Sequence, residues 1–138
     1  MSSEFLSQFT KPDDQPIGFL QFLSAECRLE RLHKQNVPIY GLTNWSSETY
    51  YAVEPNYPFL KWFKGIIVSG DEGIIKPDPE IYELALSRFN LERQETLFID
   101  DKSINAEGAS RAGMQSHVFR SADELEKLLI HEGLLQLR

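Results

Sequence analysis

Three short runs of the chain, "VPIYGL" (37–42), "GIIVS" (65–69) and "TLFID" (96–100), are apolar without clean alternation, and each is followed by a polar pair. Runs of this kind belong to strands buried on both faces, which occur in parallel sheets with helices on either side. A fourth run, "SHVFR" (116–120), also reads as a strand. Helical patterns lie between them. Residues 25–36 carry Cys27, Leu29 and Leu32 as apolar positions. Residues 78–89 place Ile81, Leu84, Ala85 and Phe89 on one face, with Asp78 as cap and Pro79 in the first helical position. Residues 104–113 form a small-residue helix that stops at Gly113. Residues 121–133 begin with a capping box, Ser121 with Glu124, and stop at Gly133. The aromatic stretch 45–63, interrupted by Pro55 and Pro58, reads as a short helix plus a loop. This alternation predicts right-handed crossovers and a doubly wound fold, a Rossmann-like three-layer α/β/α arrangement with a mostly parallel sheet.

A length of 138 residues suits one domain, and a hydrophobic fraction of 41% can fill one core. The net charge of −7 argues against nucleic acid or an anionic membrane as the main partner. It leaves a phosphate-bearing metabolite open, because a divalent cation can reverse the sign locally. Cys27 is the single cysteine, so no intramolecular disulfide can form, and a reducing, cytoplasmic setting is expected. No apolar stretch approaches the roughly 18–20 residues of a membrane span. The acidic, proline-broken start "MSSEFLSQFTKPDD" does not read as a signal peptide. For that reason Asn44-Trp45-Ser46 is not taken as a glycosylation acceptor.

Open sheets of this type bind ligands beyond the carboxyl ends of their strands. Thr43, Asn44, Asp71, Asp100 and Asp101 stand there, and Lys76 lies close to one of these ends just before a helix start. The adjacent carboxylates Asp100 and Asp101 repel one another and need a cation, a hydrogen-bond network or solvent. Each residue taken alone has an ordinary reading. Lys76 is then a solvated lysine, Thr43 caps the helix after it, and Asp101 caps the helix from Ile104.

Taken in order, "YGLTNWS", "GIIKPDPEIYELAL" and "LFIDDKSINAEGASRAGM" resemble the second, third and fourth motifs of the haloacid dehalogenase-like (HAD) hydrolase superfamily. The resemblance covers about residues 25–130 and points to its phosphatase and dehalogenase branches. The acid pair favours the phosphatases, since the dehalogenases work without metal. The resemblance implies Mg²⁺-dependent hydrolysis of a small phosphorylated metabolite. It assigns catalysis to Lys76 and Thr43, and substrate binding to Thr43, Asn44 and Lys76. It makes Asp101 a Mg²⁺ ligand, Asp100 a neighbour acting through water or orientation, and Asn105 a supporting hydrogen-bonding residue in a position that is often acidic. These types suit phosphoryl transfer, which needs mainly positioning and charge neutralisation.

The first family motif, an apolar strand ending in Asp-x-Asp whose first Asp is the nucleophile, is not found. No Asp-x-Asp occurs in the chain, and Asp13-Asp14 follows no apolar strand. The resemblance therefore implies a chain of impaired or lost activity, with Mg²⁺ weak or absent. Two alternatives are a non-catalytic phosphate- or metal-binding regulatory module, and a hydrolase that uses Glu26 or a nucleophile from another chain. In the family the missing strand is central, between those carrying the second and fourth motifs. Its loss would leave two edges unpaired, which makes a homo-oligomer a candidate state. The run "IGFLQFL" (17–23) could fill the slot. Pro16, with Leu20, Leu23 and Cys27 on one side, favours an amphipathic helix left over from a cap. The organisation expected is an atypical N-terminal segment, 1–24, followed by the second half of a HAD-like core, 25–138.

Overall fold

The computed structural model describes residues 4–7 and 26–135. The elements run β1 (Glu4–Ser7), α1 (Glu26–Lys34), β2 (Ile39–Thr43), α2 (Ser47–Val53), β3 (Gly65–Val68), α3 (Ser69–Glu72), α4 (Pro79–Arg88), β4 (Thr96–Asp100), α5 (Ser103–Arg111), β5 (Gln115–Val118) and α6 (Ala122–His131). Short 3₁₀ turns at 54–56 and 58–62 carry the chain from α2 to β3. The five strands form one parallel sheet in the order β3-β2-β1-β4-β5.

Alternate residues of the buried strands feed two separate cores. Leu97 and Ile99 point to one face, where α1 and α6 bring Leu29, Leu32, Leu125 and Leu129. Phe98 points to the other, where α4 and α5 bring Ile81, Tyr82, Ala85 and Ala109. Arg28 and Arg31 of α1 pair with Asp123 and Glu126 of α6 and fasten the two helices of the first layer together.

Four helices end in the same way. Asn36, Asn90, Gly113 and Gly133 take positive φ. The next amide in each case (Val37, Leu91, Met114, Leu134) bonds back to the carbonyl of Leu32, Leu86, Ala109 or Leu129. This pattern caps the last carbonyls and puts an apolar residue against the final turn. After α1, α4 and α5 it turns the chain into the next strand.

The N-terminal stretch corrects one expectation. The central slot is not left open, because Glu4–Ser7 fill it and pair in parallel with both β2 and β4. Both inner edges thereby find backbone partners, and the reason for expecting self-association disappears. The run 17–23 lies outside the described residues, as do Asp13 and Asp14. Smaller corrections concern helix starts. Ser69 opens a single helical turn instead of ending β3. Asp78 occupies the cap position of α4 without a side-chain cap bond. The cap of α2 is Ser46, whose Oγ accepts from the Thr49 amide at 3.2 Å, and the cap position of α5 is Lys102.

Gly108 is where α5 meets α4. A Cβ there would stand 2.6 Å from the hydroxyl oxygen of Tyr82, a side chain with no exposed surface. That hydroxyl donates to the Asn105 carbonyl at 2.7 Å. Gly108→Ala is expected to cost about 1–3 kcal/mol by overpacking, read as a lower urea midpoint at unchanged slope.

Candidate active site

The site is built at the carboxyl ends of β2 and β4, on either side of β1. Ser7, the last residue of β1, pairs with Gly41 and with Ile99. The next residues along the two flanking strands are Leu42 and Asp100. Lys76 reaches both, its Nζ donating to the Leu42 carbonyl at 2.8 Å and to Asp100 Oδ2 at 3.1 Å. The ammonium thus bridges the two strands across the end of the central one. It also lies 5.7 Å from the ring centroid of Phe98, which shares a face with Asp100 because the two are two residues apart on β4.

Neither side chain of the ion pair has any exposed surface. Burial pushes the Lys76 ammonium down to about 8, against the opposing pull of Asp100 and Asp101. Burial likewise raises the Asp100 carboxyl, against Lys76 and the Lys102 amide. That amide donates to Asp100 Oδ1 at 2.8 Å, so Asp100 sets the turn that opens α5 as well as the lysine. Desolvating two charges is favourable only when partners of this quality remain.

Asn44 holds the Lys76 backbone. Its Oδ1 accepts from the Lys76 amide at 2.9 Å and from Ser69 Oγ at 3.0 Å, and its Nδ2 donates to the Lys76 carbonyl at 3.1 Å. Thr43 is buried, and its Oγ1 accepts from the Trp45 amide at 3.3 Å, which bends the chain after β2. Asn105 is buried on the first turn of α5. Asp101 follows at the end of β4 and is partly exposed. Asp71, beyond β3, accepts from Ser47 Oγ at 2.6 Å and from the Tyr51 hydroxyl at 2.8 Å. The structure thus brings Asn44, Lys76 and Asp100 into one hydrogen-bonded network, with Thr43 next to Asn44 at the end of β2 and bonded to the Trp45 amide. Asp101 and Asn105 flank that network along β4 and α5, and Asp71 stands in a separate cluster on the β3 side. Ser69 belongs to the network too. The sequence shows it only as the last residue of the run 65–69.

The described residues supply few donors for a Mg²⁺ ion. Among the described residues no three His, Cys, Asp or Glu side chains are gathered to hold a metal. Both Asp100 oxygens already accept hydrogen bonds. That leaves Asp101 as the main candidate ligand at this rim, whereas Mg²⁺ is usually held by one or two carboxylates together with substrate phosphate and water.

A parallel sheet with a buried lysine–carboxylate pair across its carboxyl ends defines an α/β protein with a polar, cation-bearing rim. The family model of the haloacid dehalogenase-like hydrolases matches residues 19–113, and the chain belongs to that family. It is 33% identical over 101 residues to (S)-2-haloacid dehalogenase 2 of a Pseudomonas species, covering 72% of this chain and 44% of that protein. It is 35% identical over 86 residues to a sesquiterpene phosphatase of Aspergillus oryzae, covering 62% of this chain and 44% of the relative. The chain therefore spans less than half the length of these relatives. A HAD family enzyme of Bacteroides thetaiotaomicron, solved as an aspartate-to-alanine mutant in complex with magnesium and inorganic phosphate, has the same fold. Its TM-score is 0.71 at 14% identity, covering 93% of this chain and 99% of that one. No helix among the described residues is long and apolar enough to cross a membrane.

Proposed function

We propose that this chain holds the phosphoryl group of a small phosphate ester at the Thr43–Asn44–Lys76 rim and does not hydrolyse it at a rate useful to a cell. The observation that carries this reading is the composition of the central strand. Phe5-Leu6-Ser7 fills the slot that the family's nucleophile strand occupies, and no carboxylate follows until Asp13. A phosphoryl group at this rim would lie over a positive charge held beneath it, where Asp100 and the Leu42 carbonyl fix the buried Lys76 ammonium. The Thr43 hydroxyl and the Asn44 amide stand at the neighbouring strand end. Preorganised donors of this kind favour a phosphate and stabilise charge on it. They do not supply the attacking group of covalent catalysis. A phosphatase and a haloacid dehalogenase among the relatives support an organic anion as the ligand class, with the phosphate ester favoured here. Asp101 would give Mg²⁺ a foothold only with the phosphate present, and weak binding is expected.

The test is p-nitrophenyl phosphate with the full chain, with and without Mg²⁺. No release above the buffer rate is expected in either condition. Turnover in the wild-type chain that disappears in a Lys76→Met variant would refute the non-catalytic reading.

A further inference from the structure

We infer that the chain carries a second binding site, separate from the Lys76 rim: a cavity beside β3 that takes a small zwitterion bearing an aromatic ring, the chemistry of an aromatic amino acid. The cavity has a volume of about 530 Å³. Small-molecule sites usually measure about 300–1,000 Å³ and combine apolar walls with a few polar groups. Gly65 and Ile66, which line it, are the first two residues of edge strand β3. The cavity therefore lies toward the amino end of that strand, and no residue of the rim lines it.

The aromatic stretch 45–63 builds the walls. Tyr50 comes from α2, Tyr57 stands between the two 3₁₀ turns, and Leu60 and Phe63 follow, with Ile66 opposite them in sequence on β3. Pro55 lies in the first turn and Pro58 opens the second, so two fixed φ angles stiffen this wall. Neighbouring rings hold the tyrosines in place. Tyr50 packs edge-on against Tyr51 at 5.1 Å, and Tyr57 against Phe59 at 5.8 Å. A preformed aromatic wall suits a flat ring.

Three polar groups select the rest of the ligand. Tyr50 is 5% exposed, and its hydroxyl donates to none of the described residues. Burial and the nearby Glu54 carboxylate keep that hydroxyl protonated, so it is a donor in want of an acceptor. Glu54 and Lys61 line the same cavity from the two turns, with opposite charges, and neither forms an ion pair among the described residues. An α-amino acid answers all three groups. Its carboxylate serves Lys61 and the Tyr50 hydroxyl, its ammonium serves Glu54, and its ring meets the aromatic wall. A hydrocarbon would leave Tyr50 unmet, and a simple anion would be opposed by Glu54.

The experiment is a calorimetric titration of the full chain with L-tryptophan, with indole-3-propionate, which lacks the ammonium, and with tryptamine, which lacks the carboxylate. Tryptophan is expected to bind about twofold to fivefold more tightly than either analogue. Glycine, a zwitterion without the ring, is expected not to bind. Glu54→Gln should remove the advantage over indole-3-propionate, and Lys61→Gln the advantage over tryptamine. Both side chains are exposed, so neither variant threatens the fold. Tyr50→Phe should weaken tryptophan and indole-3-propionate about twofold to tenfold and leave tryptamine unchanged. Absence of saturable tryptophan binding would overturn the inference. Equal affinity for tryptophan and both analogues would overturn it too, as would an order of affinities that all three variants leave untouched.

Discussion

Lys76→Ala is expected to lower the unfolding free energy by about 3–5 kcal/mol and to abolish saturable phosphate binding. The first effect comes from what is left behind. Asp100 is buried beside Phe98, and without the ammonium its Oδ2 loses the partner 3.1 Å away. Removing one member of a buried pair is far more costly than removing both. A double variant, Lys76→Met with Asp100→Leu, separates the two roles of the lysine. It replaces the pair with apolar groups and is expected to regain most of the lost stability while binding stays absent. Urea unfolding and phosphate titration on the same samples check both halves. Recovery of binding in the double variant would show that the lysine acts only as a structural group.

The second large effect is on pH. Phenyl phosphate is expected to bind evenly between pH 7 and about 8 and then to weaken about tenfold per unit, as Lys76 releases its proton. The ester itself is already dianionic there, its second ionisation lying near 6. The midpoint follows from the burial that brings the ammonium down to about 8 from 10.5. Stability carries the opposite sign. A lysine whose folded pKa lies below its unfolded value contributes stability fully above 10.5 and loses it as pH falls through about 8. The domain is thus expected to gain stability from this group between pH 8 and 10.5, over the same range in which it loses its ligand. Tyr50, pushed up to about 12 by burial, works against that gain above pH 10, because the folded state then holds a proton that the unfolded chain releases. Thermal midpoints from pH 7 to 10 check the rise. A steady fall across that range would contradict a desolvated Lys76.

Much of the architecture was legible because buried parallel strands carry their signature locally. Ile39–Thr43, Gly65–Val68 and Thr96–Asp100 sit almost where the apolar runs place them. Gly113 and Gly133 marked helix ends through their backbone freedom. Asn36 and Asn90, which do the same work, carried a weaker signal, since asparagine also occurs freely in loops. The central strand was not legible. Four residues, Glu4–Ser7, are too few to show a period, and what selects them is the pair of open edges offered by β2 and β4. The longer run 17–23 was the candidate within the chain for the slot, although its pattern favours an amphipathic helix.

The same contrast holds at the site. Residue types and strand-end positions pointed to Thr43, Asn44, Lys76 and the acid pair. That Asp100 contacts the lysine had one local clue, the two-residue spacing that puts it on the face of Phe98. The clasp of Asn44 on the Lys76 backbone spans 32 positions and had none.

The most direct test of a phosphate site built on the Lys76–Asp100 pair is a titration of the full chain with inorganic phosphate, followed by backbone amide resonances. Saturable shifts are predicted at Asn44, Trp45 and Lys76, and their loss is predicted in the Lys76→Met, Asp100→Leu variant. Shifts that are absent in the wild type, or that persist unchanged in that variant, would contradict the site.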